Sequence, residues 1–212
     1  MPFLPIDAAQ ACIRRSQRFL ALASENLPDS KIRNDLRRSA LITSVAAIDT
    51  YMHWMILRRL SSVRRQGDLP KALARYDMEF SEIANLADAI IAAQRLRKGL
   101  RPWVQVKDSL QKRLLQQTFQ SYEQVGTAFA LAGIDKGWSR IADILAVKAE
   151  DIKSKLNQLV YRRNQIVHEG DITRASRPRK LQYNEVDHDK VVADVDWIEK
   201  LVNAIEAVVA EG

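Results

Sequence analysis

Apolar residues recur along this chain with the three- and four-residue spacing of helices, and no segment alternates as a half-buried strand would. Asp7 can cap a helix running to about residue 27, where Pro28 stops it. Asp29 or Ser30 then caps a longer helix to about residue 65, along which Leu41, Val45, Ile48, Met52 and Met55 form one apolar stripe. Gly67 and Pro70 mark its end. Helical segments are predicted at 81–98 and 103–132, separated by Gly99 and Pro102 and closed by Gly133. A helix at 136–146 follows, then one at 150–168 that Gly170 ends, with Leu156, Leu159, Val160 and Val167 on its apolar side. After an Arg-rich loop at 171–187 that contains Pro178, Asp187 or Asp189 starts the last helix. Its Val192, Val195, Ile198, Leu201, Val202 and Ile205 point inward. No internal repeat interrupts this series. The expectation is an all-α bundle of about six to seven helices in a single domain over residues 1–212.

Composition narrows the class. At 212 residues, with 47% hydrophobic and 28% charged positions, the chain is an ordinary globular one and neither disordered nor fibrous. Cys12 is the single cysteine, so a disulfide-stapled scaffold is excluded and a reducing compartment is the natural one. The longest apolar stretch, 41–57, is interrupted by Asp49 and His53 and is shorter than a bilayer span. The opening MPFLPIDAAQ lacks the basic and apolar regions of a secretory signal. A soluble cytoplasmic protein is therefore expected.

Charge adds a direction. Residues 185–212 carry 8 acids against 2 bases, so within a total of +7 the body is strongly basic and the tail acidic. A basic body suits an anionic partner, most simply nucleic acid. The same arithmetic also fits a solvated surface on which the acidic tail lies back.

Several catalytic signatures are missing: there is no Gly-rich phosphate loop, no GxSxG, no HExxH and no Cys/His cluster. Three histidines remain. His53 follows Asp49 by four residues, on one helix face among Tyr51, Met52, Trp54 and Met55, which reads as a hydrogen-bonded structural pair more readily than half a metal site. His188, between Asp187 and Asp189, reads as a solvated residue at a helix start. His168 is different, because it ends the run Tyr161-Arg162-Arg163-Asn164-Gln165-Ile166-Val167-His168-Glu169-Gly170-Asp171 in the last turns of the penultimate helix, just before the basic loop.

The segment RRNQIVHEGD resembles the Arg-x4-6-His signature of the HEPN superfamily, especially the RiboL-PSP-HEPN-like branch that reads RNxIVHEG near its C-terminal end. Softer similarity extends to AAIDTYMHWMILRRL, GWSRIADIL and VDWIEKLVNAI. The resemblance implies a HEPN-like helical fold and a metal-independent endoribonuclease acting at a dimer interface. By position, the catalytic arginine is Arg163, its polar follower Asn164 and the histidine His168. Both Arg162 and Arg163 fit the spacing, and Arg163 is preferred because Asn164 follows it. Gly170 stands where HEPN toxins paired with a minimal nucleotidyltransferase carry a modified tyrosine, so that partner is not implied.

The residue types suit the chemistry in their own right. RNA carries its own nucleophile, the 2'-hydroxyl, so cleavage needs a base, an acid and a cation for the developing phosphorane charge, all of which His and Arg supply without a metal or cofactor. At about 100° per residue, Asn164 and His168 share a face while Arg163 lies about 140° round from His168. One helix thus presents an incomplete set, and two copies about a two-fold axis would complete it in a homodimer. Against this, Arg163 and His168 would be mere basic residues at a helix C-terminus. Arg174, Arg177, Arg179 and Lys180, with Tyr183 nearby, are candidate RNA contacts or else an ordinary solvated loop. The resulting expectation is a cytoplasmic RNA-cleaving homodimer, a toxin or antiviral effector restrained by an inhibitory partner protein. The rival is a non-catalytic helical module that binds a protein or nucleic acid.

Overall fold

The computed structural model describes residues 4–25, 29–63, 66–96, 102–173 and 180–211. Among them run nine α-helices: α1 (Pro5–Ser24), α2 (Ser30–Ser62), α3 (Lys71–Ala74), α4 (Phe80–Arg95), α5 (Pro102–Leu114), α6 (Tyr122–Ala132), α7 (Gly137–Leu145), α8 (Ala149–Glu169) and α9 (His188–Ala210). No β-strand occurs among the described residues. A lone antiparallel bridge joins Ile172 to Tyr183. The long pair α1 and α2 forms the base, α9 returns from the far end of the chain to pack against both, and α6 and α8 close over α2.

Helix boundaries follow from capping. The Asp7 carboxylate accepts the Leu4 amide at 2.7 Å, so Asp7 caps α1 from inside its first turn and the helix begins at Pro5. Asp29 caps α2 by accepting the Lys31 amide at 2.7 Å, and Asp187 caps α9 through the Lys190 amide at 2.7 Å. Leu41, Val45, Ile48, Met52 and Met55 are all buried. Ala9, Ser16, Ala40, Ser44 and Ala47, also buried, let the helices approach closely. By length and composition α2 could cross a membrane, since it has 33 residues and its best window has a mean hydropathy of 1.3. Its apolar face is instead buried against α1, α6, α8 and α9, as befits the central helix of a bundle.

The expected helix over 103–132 is two helices. Asp49, in the middle of α2, accepts the Phe119 amide at 2.5 Å and the Gln120 side-chain amide at 3.4 Å. His53 stands between the carbonyls of Asp49, at 2.9 Å, and Leu114, at 3.0 Å, with its ring edge against Phe119. These bonds draw 115–121 out of helical geometry and bury Phe119. Ser121 then restarts the helix in a capping box with Gln124. The Asp49/His53 pair is therefore the structural pair that its spacing suggested, and its work is to pin this connector. A second addition is α3, held by buried Leu73 between Pro70 and the helix predicted at 81–98. Together these raise the helix number above the six to seven expected. The turn from α6 into α7 needs Gly137, where a Cβ would lie 2.6 Å from the Phe129 ring.

Candidate active site

Helix α8 carries the Arg/Asn/His run at its C-terminal end. Ile152, Leu156 and Leu159 bury one side of α8 against the bundle and so fix which residues face outward. The helix stops at Gly170, whose φ of +64° is the left-handed conformation that glycine adopts without a steric penalty. Asp171 follows at φ +56°, a conformation unusual for a residue with a side chain, and its amide closes back on the Gln165 carbonyl at 3.1 Å.

The two arginines have different surroundings. Arg162 turns toward the body and makes a bidentate ion pair with Asp171, one arm at 2.8 Å. Arg163 donates to the Asn164 side-chain oxygen at 2.9 Å and makes no ion pair among the described residues. Asn164 shares the His168 face of the helix, so this bond ties Arg163 to a residue of that face. His168 is exposed and has no hydrogen bond or ion pair among the described residues. Nothing joins it to Arg163 or Asn164 within one chain. A single copy thus displays the three groups without assembling them.

Around this end lie large apolar side chains left in the open: Tyr161 and Val167 on α8, then Ile172, Leu181 and Tyr183 beyond it. Lys180 is exposed as well, while Arg174, Arg177 and Arg179 lie outside the described residues. The acidic tail contains the core helix α9, and two acids of the tail meet bases of the body: Asp194 on α9 with Lys155 at 2.5 Å and Glu211, just beyond the helix, with Arg140 at 2.7 Å. Part of the charge asymmetry therefore closes within the molecule. His188 is only half-exposed and meets the Ser24 hydroxyl at 3.2 Å, so it is a contact between α1 and α9 and less solvated than its neighbours suggested.

Three residues beside the motif lie outside the candidates that its spacing marks: Asp171, Arg38 and Asn184. Asp171 is buried, and besides Arg162 it receives Arg38 of α2 at 2.5 Å and Asn184 at 2.9 Å. Burial alone would raise its carboxyl pKa, but the hydrogen bonds from Arg162, Arg38 and Asn184 outweigh that and hold it below the usual carboxylate range. The Gly-Asp dipeptide after the motif was a visible signal for Asp171. Nothing local marks Arg38, 133 positions away along the chain. A separate cavity of about 640 Å³, lined by Met55, Arg58, Arg59, Glu206 and Val209 among others, opens at the other end of α2 and α9, away from the motif.

The all-α bundle is the fold class of HEPN domains. The model of the family described as RiboL-PSP-HEPN matches residues 11–211, nearly the whole chain, and the chain belongs to that family. No curated protein and no solved structure matches it.

Proposed function

We propose that this protein is a metal-independent endoribonuclease that cleaves RNA by attack of the 2'-hydroxyl on the adjacent phosphate, at a composite site built by two copies. Membership of the HEPN family is consistent with nuclease function. The observation that carries the reading is that Arg163 and His168 carry no ion pair among the described residues, at the end of a helix where the adjacent Arg162 is paired with Asp171. His168 serves as base toward the 2'-hydroxyl, and the second copy's histidine as acid toward the departing 5'-oxygen. Arg163, oriented by Asn164, balances the charge that develops on the phosphorane. The exposed Tyr161, Val167 and Ile172 supply apolar surface for the second copy at this end. Lys180 and the arginines at 174, 177 and 179 hold the RNA backbone by charge. The reading includes no cofactor, a cytoplasmic setting, and a role as a toxin or antiviral effector restrained by an inhibitory protein.

The test is incubation of the purified protein with RNA in EDTA, with product ends analysed and the oligomeric state followed by light scattering. Cleavage should persist, leave a 2',3'-cyclic phosphate and a 5'-hydroxyl, and accompany the dimer. A strict requirement for a divalent ion, or full activity in a monomer, would overturn the mechanism.

A further inference from the structure

A buried carboxylate three residues after His168 holds together parts of the chain that are remote in sequence. Asp171 is 1% exposed, and a buried charge is tolerated only when its hydrogen-bonding capacity is met. Here it is met in full. One carboxylate oxygen accepts from Arg162 and from Asn184 at 2.9 Å; the other accepts from Arg162 at 2.8 Å and from Arg38 at 2.5 Å. The backbone of Asp171 is engaged too, its carbonyl accepting the Asn184 amide at 2.9 Å. Arg38 continues the network to the Asn184 carbonyl at 2.9 Å and to Asp35 at 3.0 Å, and lies over the Tyr183 ring. Thr173 and Gln182 pair at 2.7 Å next to this knot.

Ending a helix does not require any of this. The bond from the Asp171 amide to Gln165 and the left-handed Gly170 already close α8. The side chain of Asp171 adds a fixed link from the end of α8 to α2, beside the pairing of 171–173 with 182–184. A non-glycine residue with positive φ is held in place when its surroundings over-determine it, as four donors on one carboxylate do.

We propose that Asp171, with Arg162, Arg38 and Asn184, is the positioning element of this site: it sets the direction of the α8 end, and Arg162 belongs to it and not to the chemistry. This rests on the ribonuclease reading for its kinetic consequence, while its geometric content stands apart. Misplacing reacting groups by about 1 Å can cost about 100-fold in rate. A loosened clamp therefore lowers the rate on bound RNA more than it lowers affinity.

The experiment uses the full chain with Asp171→Asn, which keeps the shape and removes the charge, and with Asn184→Ala as a milder second variant. Three quantities are measured at a temperature where circular dichroism shows each variant folded. They are the single-turnover cleavage rate at saturating RNA in EDTA, RNA affinity by anisotropy, and the imidazole resonances of His168 and His53. The expected result for Asp171→Asn is a rate about 10- to 100-fold lower with affinity changed less than about threefold. His168 resonances should move while those of His53 stay. Asn184→Ala should do the same to a smaller degree, and it decides the matter should Asp171→Asn fail to fold. Folded variants with the parent's rate and unmoved His168 resonances would overturn the proposal. If the parent protein cleaves no RNA, the ribonuclease reading fails, and the clamp is then judged by the His168 resonances alone.

Discussion

Two places in this molecule set a histidine within four residues of a carboxylate, one inside a helix and one at a helix end, and the fold uses them in opposite ways. In the middle of α2, Asp49 and His53 are half-buried, and their polar atoms meet the backbone of residues 49, 114 and 119 and the Gln120 side chain. At the end of α8 the nearby carboxylate, Asp171, is enclosed and saturated, but by arginines and an asparagine, and His168 stands outside the network. The first pair holds a connector in place. The second arrangement holds a backbone still so that an unpaired imidazole and guanidinium are presented to solvent. Residue type does not separate the two; what does is whether neighbouring donors and acceptors already occupy the side chain.

The sharpest way to break this comparison is to delete each histidine. His168→Ala should lower RNA cleavage by about 10²- to 10⁴-fold, the usual contribution of a general acid or base. Its stability should stay within about 0.5 kcal/mol, because an exposed side chain supports little of the core. His53→Ala should do the reverse, costing about 1–3 kcal/mol through the loss of two hydrogen bonds and of the ring contact with Phe119, while folded molecules cleave at the parent's rate. Chemical denaturation and single-turnover kinetics on both variants check this. A folded His53 variant that cleaves slowly would remove the distinction.

A second, smaller effect separates the adjacent arginines. Arg163→Ala should reduce the rate by about 10²- to 10³-fold with little change in stability, as expected for a donor that meets developing charge. Arg162→Ala should cost about 3 kcal/mol, because it breaks an ion pair whose carboxylate stays buried. Equal stability losses in urea titrations would contradict the separation.

The smallest effect concerns charges that position RNA. Replacing Arg174, Arg177, Arg179 and Lys180 together with Gln should reduce the salt slope of binding by roughly 0.7 for each phosphate no longer neutralised, so up to about 3. Saturating RNA should restore most of the cleavage rate. Anisotropy across a salt series, on a His168→Ala background, measures the slope, and an unchanged slope would return the loop to an ordinary surface turn.

Much of the fold was legible along the chain because capping and periodicity are local. Asp29 and Asp187 cap where their positions suggested, and the α2 stripe from Leu41 to Met55 is buried. The break inside 103–132 was not legible, since Thr118, Phe119 and Gln120 form no breaker and the cause lies in Asp49, about seventy positions away. The motif itself was legible as residue types at a spacing. Its support was not, because Arg38 and Asn184 reach Asp171 only across the bundle.

By itself, then, the sequence determined the all-helical class, most helix ends, the apolar faces and the Arg/Asn/His run, since each depends on neighbours within a few residues and on the period of the helix. Only the tertiary structure decided which polar groups are occupied: that Asp49 and His53 hold a connector, that Arg162 is tied to Asp171, and that Arg163 and His168 remain available. The physical reason is that a hydrogen bond or ion pair is formed by whatever the fold brings within about 3 Å, and separation along the chain does not enter that distance.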